Sequence, residues 1–244
     1  MKKKNIKIYY LYNSGFTVET ENCFLIFDYF KDSVLKGEKS ISNGAIGEDD
    51  LRIDKKIFVF SSHSHADHFN KVILKWQNIR PDITYILSSD IKLGYAKENI
   101  KYLSPYEEIN LGDIIIKAYG STDIGVSFYI LADGVSIFHS GDLNWWYWWD
   151  DTPEEIEKAE KAFKEEIEKI KGNKIDIAFF PVDPRLEHNY SKGGEYFIKE
   201  ITPSYFIPMH FGVTYEITEK FAHLMKDSPV KVLKLSRRGQ EMIL

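Results

Sequence analysis

The chain has one cysteine, Cys23, in 244 residues, so no intrachain disulfide can form. The opening stretch MKKKNIKIYYLYNSGF contains neither an unbroken apolar segment nor a small-residue cleavage site, which argues against a secretory leader and for a cytoplasmic location. No run approaches the roughly 18 consecutive apolar residues that span a bilayer, so the chain reads as soluble and without a membrane partner. Positive charge is not in excess. Thirty-two Lys and Arg against 37 Asp and Glu leave a formal net charge of -5, which disfavours nucleic-acid backbones and anionic membranes and favours a small-molecule partner. Repeats and low-complexity linkers are missing as well. The whole of 1–244 therefore reads as one domain, and its 43% hydrophobic and 28% charged residues are ordinary for a globular protein with a substantial core.

The first half reads as short strands joined by polar turns. KIYYLY (7–12) and CFLIFDYF (23–30) flank a turn at Asn13 to Gly15, and residues 31–51 read as a polar loop with at most a helical turn. IFVF (57–60) is a compact buried strand, HFNKVILKWQN (68–78) has the spacing of a helix face, and ITYILSSD (83–90) is a strand. A strand pair is expected around Leu111 to Asp113. A hairpin is expected over 126–142, turning at Ala-Asp-Gly. In the second half, 152–172 carries a threonine cap, a proline at the first helical position, an early glutamate and a closing glycine, so it is a helix. IDIAFFP and SYFIPMH are buried strands, ITEKFAHLM is a helix, and KVLKL and EMIL close the chain as strands. The fold class is α/β, a strand-rich sandwich with helices outside.

Chemistry is concentrated where the strand IFVF ends. HSHADH places His63, His65, Asp67 and His68 within six positions, three of the seven histidines in the chain. On an extended backbone residues two apart point the same way, and a carboxylate at the start of a following helix faces free N–H groups. A polar helix cap with surface histidines is the plain reading. Three imidazoles and a carboxylate so close pack poorly in a core and suit divalent ions that take nitrogen and oxygen ligands.

With the later FHSGDL and IPMHFG in order, the sequence resembles the metallo-beta-lactamase fold superfamily of hydrolases, over nearly the whole chain. The resemblance implies a four-layer αββα sandwich. It implies one or two zinc ions, with manganese or iron as alternatives. His63 and His65 would serve the first ion, Asp67 and His68 the second, Asp142 would bridge both, and His210 would complete the second site. One element departs: where relatives commonly supply a further histidine, this chain has AYGSTDIG, with Ser121 at the matching position and Asp123 two residues on. Either Asp123 or water would fill that place, or a single ion would bind in the complete second site. The compact chain resembles the lactonase-like branch most.

The expected reaction is hydrolysis of a small ester, lactone or phosphodiester by a metal-bound hydroxide, with Asp67 orienting the nucleophile and His188 as a further catalytic candidate that protonates the leaving group. Trp145, Trp146, Arg185 and His188 are the candidate substrate contacts. Trp145 and Trp146 belong to the cluster GDLNWWYWW, which holds four of the five tryptophans directly after Asp142, and Arg185 suits an anionic group. Asp183 and Tyr190, in the same loop, are expected to help orient substrate. His139 is expected in the core and His223 on a helix. Two other readings stay open: a non-catalytic metal-binding protein whose tryptophans meet a partner or a second copy of the chain, and a metal-dependent nuclease.

Overall fold

A computed structural model describes residues 5–244. The elements follow in order as β1 (Lys7–Tyr12), β2 (Gly15–Glu19), β3 (Cys23–Phe27), β4 (Lys56–Ser61), β5 (Thr84–Ser88), β6 (Ile100–Leu103), β7 (Glu108–Asn110), β8 (Ile114–Tyr119), β9 (Ser127–Ala132), β10 (Val135–His139), α1 (Pro153–Ile170), β11 (Ile177–Pro181), α2 (Lys192–Ile201), β12 (Tyr205–Met209), α3 (Glu216–Leu224), β13 (Lys231–Val232) and β14 (Glu241–Ile243). They form two seven-stranded sheets, ordered β14-β1-β2-β3-β4-β5-β6 and β13-β12-β11-β10-β9-β8-β7. With helical segments flanking the pair, this is the four-layer αββα sandwich expected from the sequence.

Each sheet is half antiparallel and half parallel, and within the parallel halves β3 to β5 and β10 to β12 are buried along nearly their whole length. Alternation shows why. Along β3, Cys23, Leu25 and Phe27 enter the core between the sheets, while Phe24 and Ile26 enter a second core on the outer face of their sheet. β4 divides in the same way, Phe58 and Phe60 inward and Ile57 and Val59 outward. The outer core is covered by Leu51 and by Ile73 and Trp76 of a short helix, Lys71–Asn78. On the far side of the other sheet, α1 and α2 contribute Phe163, Ile167 and Phe197.

The hairpin at Asp133 and Gly134 turns with φ of 50° and 69°, the left-handed pair that a tight two-residue turn demands. Helix α1 carries the full reciprocal cap between Thr152 and Glu155. Three segments differ from expectation. Residues 68–78 do not form one α-helix; a 3₁₀ helix begins at Lys71. Tyr85 donates its hydroxyl to the Ile73 carbonyl at 2.8 Å, the acceptor that the Gln77 N–H would use in an α-helix. Helix α2 falls in a stretch to which the sequence pattern assigned no helix. A Cβ on Gly193 would lie 2.0 Å from Asn144 Oδ1, so the glycine is set by close approach of the 142–148 loop and not by a turn. Strand β13 is also shorter than KVLKL suggests, pairing only at Lys231 and Val232.

Candidate metal centre

Strands β1, β3 and β4 run parallel to one another within their sheet, as do β8, β10, β11 and β12 in theirs. The loops at their carboxyl ends meet on one rim, where open α/β sheets present ligand sites. β4 delivers the HSHADH segment, closed as a turn by the Phe69 N–H donating to the His65 carbonyl at 2.9 Å. Asp67 and His68 therefore sit in this turn and not on a helix. β8 delivers Asp123, β10 delivers Asp142 and β12 delivers His210. Gly141 has φ of 53°, which lets the chain bend sharply between β10 and Asp142.

The side chains sort into two groups whose ligand atoms all lie within 4.8 Å of one another, one of His63, His65, Asp123 and Asp142, the other of Asp67, His68 and His210. Asp142 faces both. Its Oδ2 is 3.5 Å from His63 Nε2, and its Oδ1 is 3.2 Å from His68 Nε2 and 3.4 Å from His210 Nε2. In the first group His65 Nδ1 is 3.1 Å from His63 Nε2 and 3.5 Å from Asp123 Oδ2. In the second, Asp67 Oδ2 is 3.6 Å from His68 Nε2 and 3.7 Å from His210 Nε2.

Three of these atoms test whether a cation belongs here. His68 Nε2, His210 Nε2 and Asp142 Oδ1 are buried, point at one another and have no hydrogen-bond partner. Buried polar atoms nearly always find one, and an unpartnered one costs about 1–3 kcal/mol. A divalent ion taking nitrogen and oxygen donors satisfies all three at once, so the residues fit the metal that the sequence implies.

Behind the ligands lies a layer that fixes their protons. Asp28, fully buried after β3, accepts from Ser62 N (2.8 Å), Ser62 Oγ (2.7 Å) and His68 Nδ1 (2.7 Å). With its proton committed to Asp28, Ser62 Oγ accepts from His63 Nδ1 at 3.0 Å. Both imidazoles thus keep the proton on Nδ1 and turn Nε2 to the cluster. Asp183 does the same for His210 Nδ1 at 2.9 Å and is itself clamped by Arg185. Asn13 spans the second group: its Nδ2 donates to Asp67 Oδ2 at 3.3 Å, and its carbonyl accepts from His210 N at 3.2 Å. His210 has φ of 64°, an uncommon conformation for a side-chain-bearing residue and a mark of a constrained site.

The electrostatics follow. Burial alone would raise the Asp142 carboxyl, but His68, His210 and His63 outweigh it and hold the group below the usual carboxylate range. Asp28 is likewise lowered, burial being overcome by His68 and His139. Burial lowers His63 and keeps it neutral, with His68 adding to the effect. His68 goes the other way: burial disfavours its charge, yet Asp28 and Asp142 raise it well above the ordinary imidazole value.

No protein-family model matches the chain. The UPF0173 protein PF0020 of Pyrococcus furiosus is 24% identical over 198 residues, 78% of this chain and 80% of the relative. Among solved structures, Igni18, described as a novel metallo hydrolase from the archaeon Ignicoccus hospitalis, aligns with a TM-score of 0.67 at 14% identity, covering 98% of each chain. YhfI from Bacillus subtilis, described as a metallo-beta-lactamase fold protein, aligns with a TM-score of 0.60 at 15% identity over 99% of this chain and 100% of its own. The chain has the metallo-beta-lactamase fold.

On this metallo-beta-lactamase scaffold the structure brings together His63, His65, Asp67, His68, Asp142 and His210, and adds Asp123 where Ser121 stands aside. Ser121 instead accepts from the Asp123 N–H at 3.2 Å. A cavity of about 450 Å³ opens at the cluster and includes Asp67, Asp123, Asp142, Trp146, Trp148 and Arg185 in its wall. A second of about 390 Å³ lies on the other side of Asp67, Arg185 and His210, lined by Tyr12, Phe30 and Phe211 among others. Trp146 anchors its indole N–H on the Asp142 carbonyl at 3.0 Å. Trp145 lines neither cavity; it packs against Phe163 and Tyr196 with Lys164 above it. His188 is exposed in the turn Pro184–Asn189 and lines neither cavity. Tyr190 borders a groove beside α3. Asp183 is 1% exposed, spent on His210 and Arg185 and not open to substrate. His139 is buried, stacked on Phe27 and bonded to the Ser14 carbonyl at 2.9 Å, and His223 is exposed on α3. Asp28, Asn13 and Trp148 were not singled out from the sequence. Asp28 left a signal there as the lone acid inside CFLIFDYF, and Trp148 only as a member of GDLNWWYWW.

Proposed function

We propose that the chain is a metal-dependent hydrolase acting on a small ester, lactone or phosphodiester, with residues 1–244 working as one unit. The observation that carries this is Asp142, whose two carboxylate oxygens face separate ligand groups while Oδ1 and two imidazole nitrogens lack any other partner. His63, His65, Asp123 and Asp142 would hold one ion, and Asp67, His68, His210 and Asp142 the other, two histidines and two carboxylates in each. A bound divalent cation supplies Lewis acidity and makes water acidic enough to attack at neutral pH. This donor set suits zinc, and its carboxylate content also suits manganese or iron.

The chain's own groups do the rest. Asp67, 45% exposed at its side chain and held by Asn13, offers an oxygen to the cavity and would orient the attacking water. Trp146 and Trp148 shield one wall from solvent. His188, outside both cavities, receives no catalytic role, and Trp148 replaces Trp145 as a substrate contact.

Two features support an enzyme over a partner-binding protein. Trp146 and Trp148 line a recess and Trp145 is packed on α1, leaving only Trp149 of the cluster largely exposed, at 64%. The cavity wall keeps a polar face open beside the metal ligands. Against a nuclease, Arg185 is the only Lys or Arg among the described residues that line either cavity, where a phosphate backbone would call for several. The lactonase-like branch is the finer form of this reading, supported by the small cavity at the cluster. Among the described residues no helix is long and apolar enough to cross a membrane.

The test is a hydrolysis screen of aryl esters, lactones and phosphodiesters with zinc-, manganese- and iron-loaded protein, repeated with Asp142→Ala. Turnover in the loaded protein that disappears in the variant is expected. Turnover that persists in Asp142→Ala contradicts the assignment.

A further inference from the structure

Arg185 stands at the divide between the two cavities. Asp183 accepts from its Nε at 2.9 Å and from its Nη2 at 2.6 Å, which fixes the guanidinium plane, while Nη1 donates to no group among the described residues. The side chain is 61% exposed although one edge is clamped to a carboxylate that is 1% exposed. Its Nη2 lies 3.3 Å from His210 Nδ1, and the opposite nitrogen of that ring faces Asp142 and Asp67. An exposed cation is thus held one imidazole away from the metal ligands.

Flat surfaces continue from it. The guanidinium carbon is 5.7 Å from the Trp148 ring, and Trp148 is stacked on Trp146 at 5.8 Å with planes 6° apart. Trp146 in turn meets His210 at 5.7 Å. A planar ring fits against such a wall, and a guanidinium with a free edge binds carboxylate or phosphate oxygens. A salt bridge with Asp183 accounts for the inner edge of Arg185 only. The outer edge belongs to a residue that lines both cavities, and its Nη1 makes no hydrogen bond among the described residues.

We propose that the substrate carries an oxyanion, a carboxylate or a phosphate, within a few bonds of the scissile bond, on a body that includes a planar ring. The placement of the scissile bond rests on the hydrolase reading above; recognition of the oxyanion and ring does not. Arg185 binds the oxyanion, Trp146 and Trp148 receive the ring, and both neighbour the metal ligands.

Binding is measured by calorimetry on the zinc-loaded chain with benzoate, phenyl phosphate, methyl phosphate and the neutral benzamide. The anion that binds better than benzamide by about 10- to 100-fold, the range of one charge-assisted hydrogen-bonded pair, identifies carboxylate or phosphate. Arg185→Ala, with its metal content measured alongside, should abolish that preference. Should Arg185→Ala lose metal, Arg185→Lys carries the test: it keeps a cation against Asp183 without the two-pronged edge, and the preference should fall about 10-fold or more. Trp148→Leu should reduce the preference for phenyl over methyl phosphate several-fold. Equal binding of anions and benzamide, or a preference that survives loss of the Arg185 fork because the metal alone captures the anion, overturns the proposal. A chain that binds these probes through Arg185 and hydrolyses nothing would overturn the hydrolase reading and leave the recognition assignment standing.

Discussion

Replacing Asp28 by asparagine keeps the shape of the side chain and changes its hydrogen bonding at a position 1% exposed. The carboxylate now accepts three bonds, from Ser62 N, Ser62 Oγ and His68 Nδ1. Asparagine can still accept from Ser62 N with its oxygen, but its amide nitrogen then faces the serine hydroxyl and the His68 N–H. The hydroxyl must reverse, accept from the amide and donate to His63 Nδ1, which moves the His63 proton to Nε2. His68 meets donor against donor and is pushed to the same tautomer. Both Nε2 atoms that face the cluster would then carry hydrogen and could not bind metal. Loss of a partner that orients a ligand costs about 10- to 100-fold in metal affinity, or about 1.4–2.8 kcal/mol for each histidine affected. Competition titration against a chromophoric chelator reads this directly. Asp133→Asn is the control: that carboxylate also accepts several bonds, from Thr20 and Asn22, but in a remote turn. The variant should lose some stability and no metal affinity. Wild-type affinity for both ions in Asp28→Asn would show that Asp28 does not set the histidine tautomers.

Asp123→Ala should lower bound metal towards one ion per chain, read by elemental analysis, because the first group keeps His63, His65 and a shared Asp142 while the second is untouched. Asn13→Ala, which frees Asp67 and leaves His210 ligated, should weaken the second ion by about 10-fold with less effect on the first, checked by the same competition titration. In the metal-free chain His68 has a raised pKa, so its contribution to stability is complete below the ordinary imidazole value of 6.5 and is lost as pH rises through the folded value. Asp28 is depressed, so its contribution is present above 3.8 and is lost as pH falls through its folded value. Melting curves of metal-free protein should therefore decline on the alkaline side, whereas zinc, taking the place of the His68 proton, should stabilise more as pH rises and release protons on binding. Phe179→Ala, removing a buried ring that packs on Phe16 and His139, should cost about 3–5 kcal/mol in denaturant unfolding.

The ligands were legible because they are dense in sequence. HSHADH supplies four of them in six positions, and Asp142 and His210 each follow an apolar strand that ends in an unusual polar step. The groups that set their protons were not, since they come from three other strand ends: Asp28 and Asp183 follow strands that pair beside those of His68 and His210, and Asn13 reaches His210 only when the two sheets pack. Asp183 was visible as a loop acid, and only its burial under Arg185 shows that it serves His210. The tryptophan cluster illustrates a different limit. GDLNWWYWW fixes closeness to Asp142, but its backbone is irregular, so no period of two or 3.6 assigns faces. The choice of Trp148 over Trp145 depends on α1 and α2 offering Phe163 and Tyr196 as packing surfaces. Helix α2 was hidden for a related reason: its glycines report contact with Asn144 and Phe221, which no local pattern encodes.

Seven side chains are expected to hold two ions in adjoining sites joined by Asp142. Elemental analysis of protein purified without chelators, beside Asp142→Ala, tests it most directly. Close to two divalent ions per wild-type chain are expected, and neither should be held tightly in the variant. A wild-type chain that takes up no divalent ion, or an Asp142→Ala chain that retains two, would contradict it.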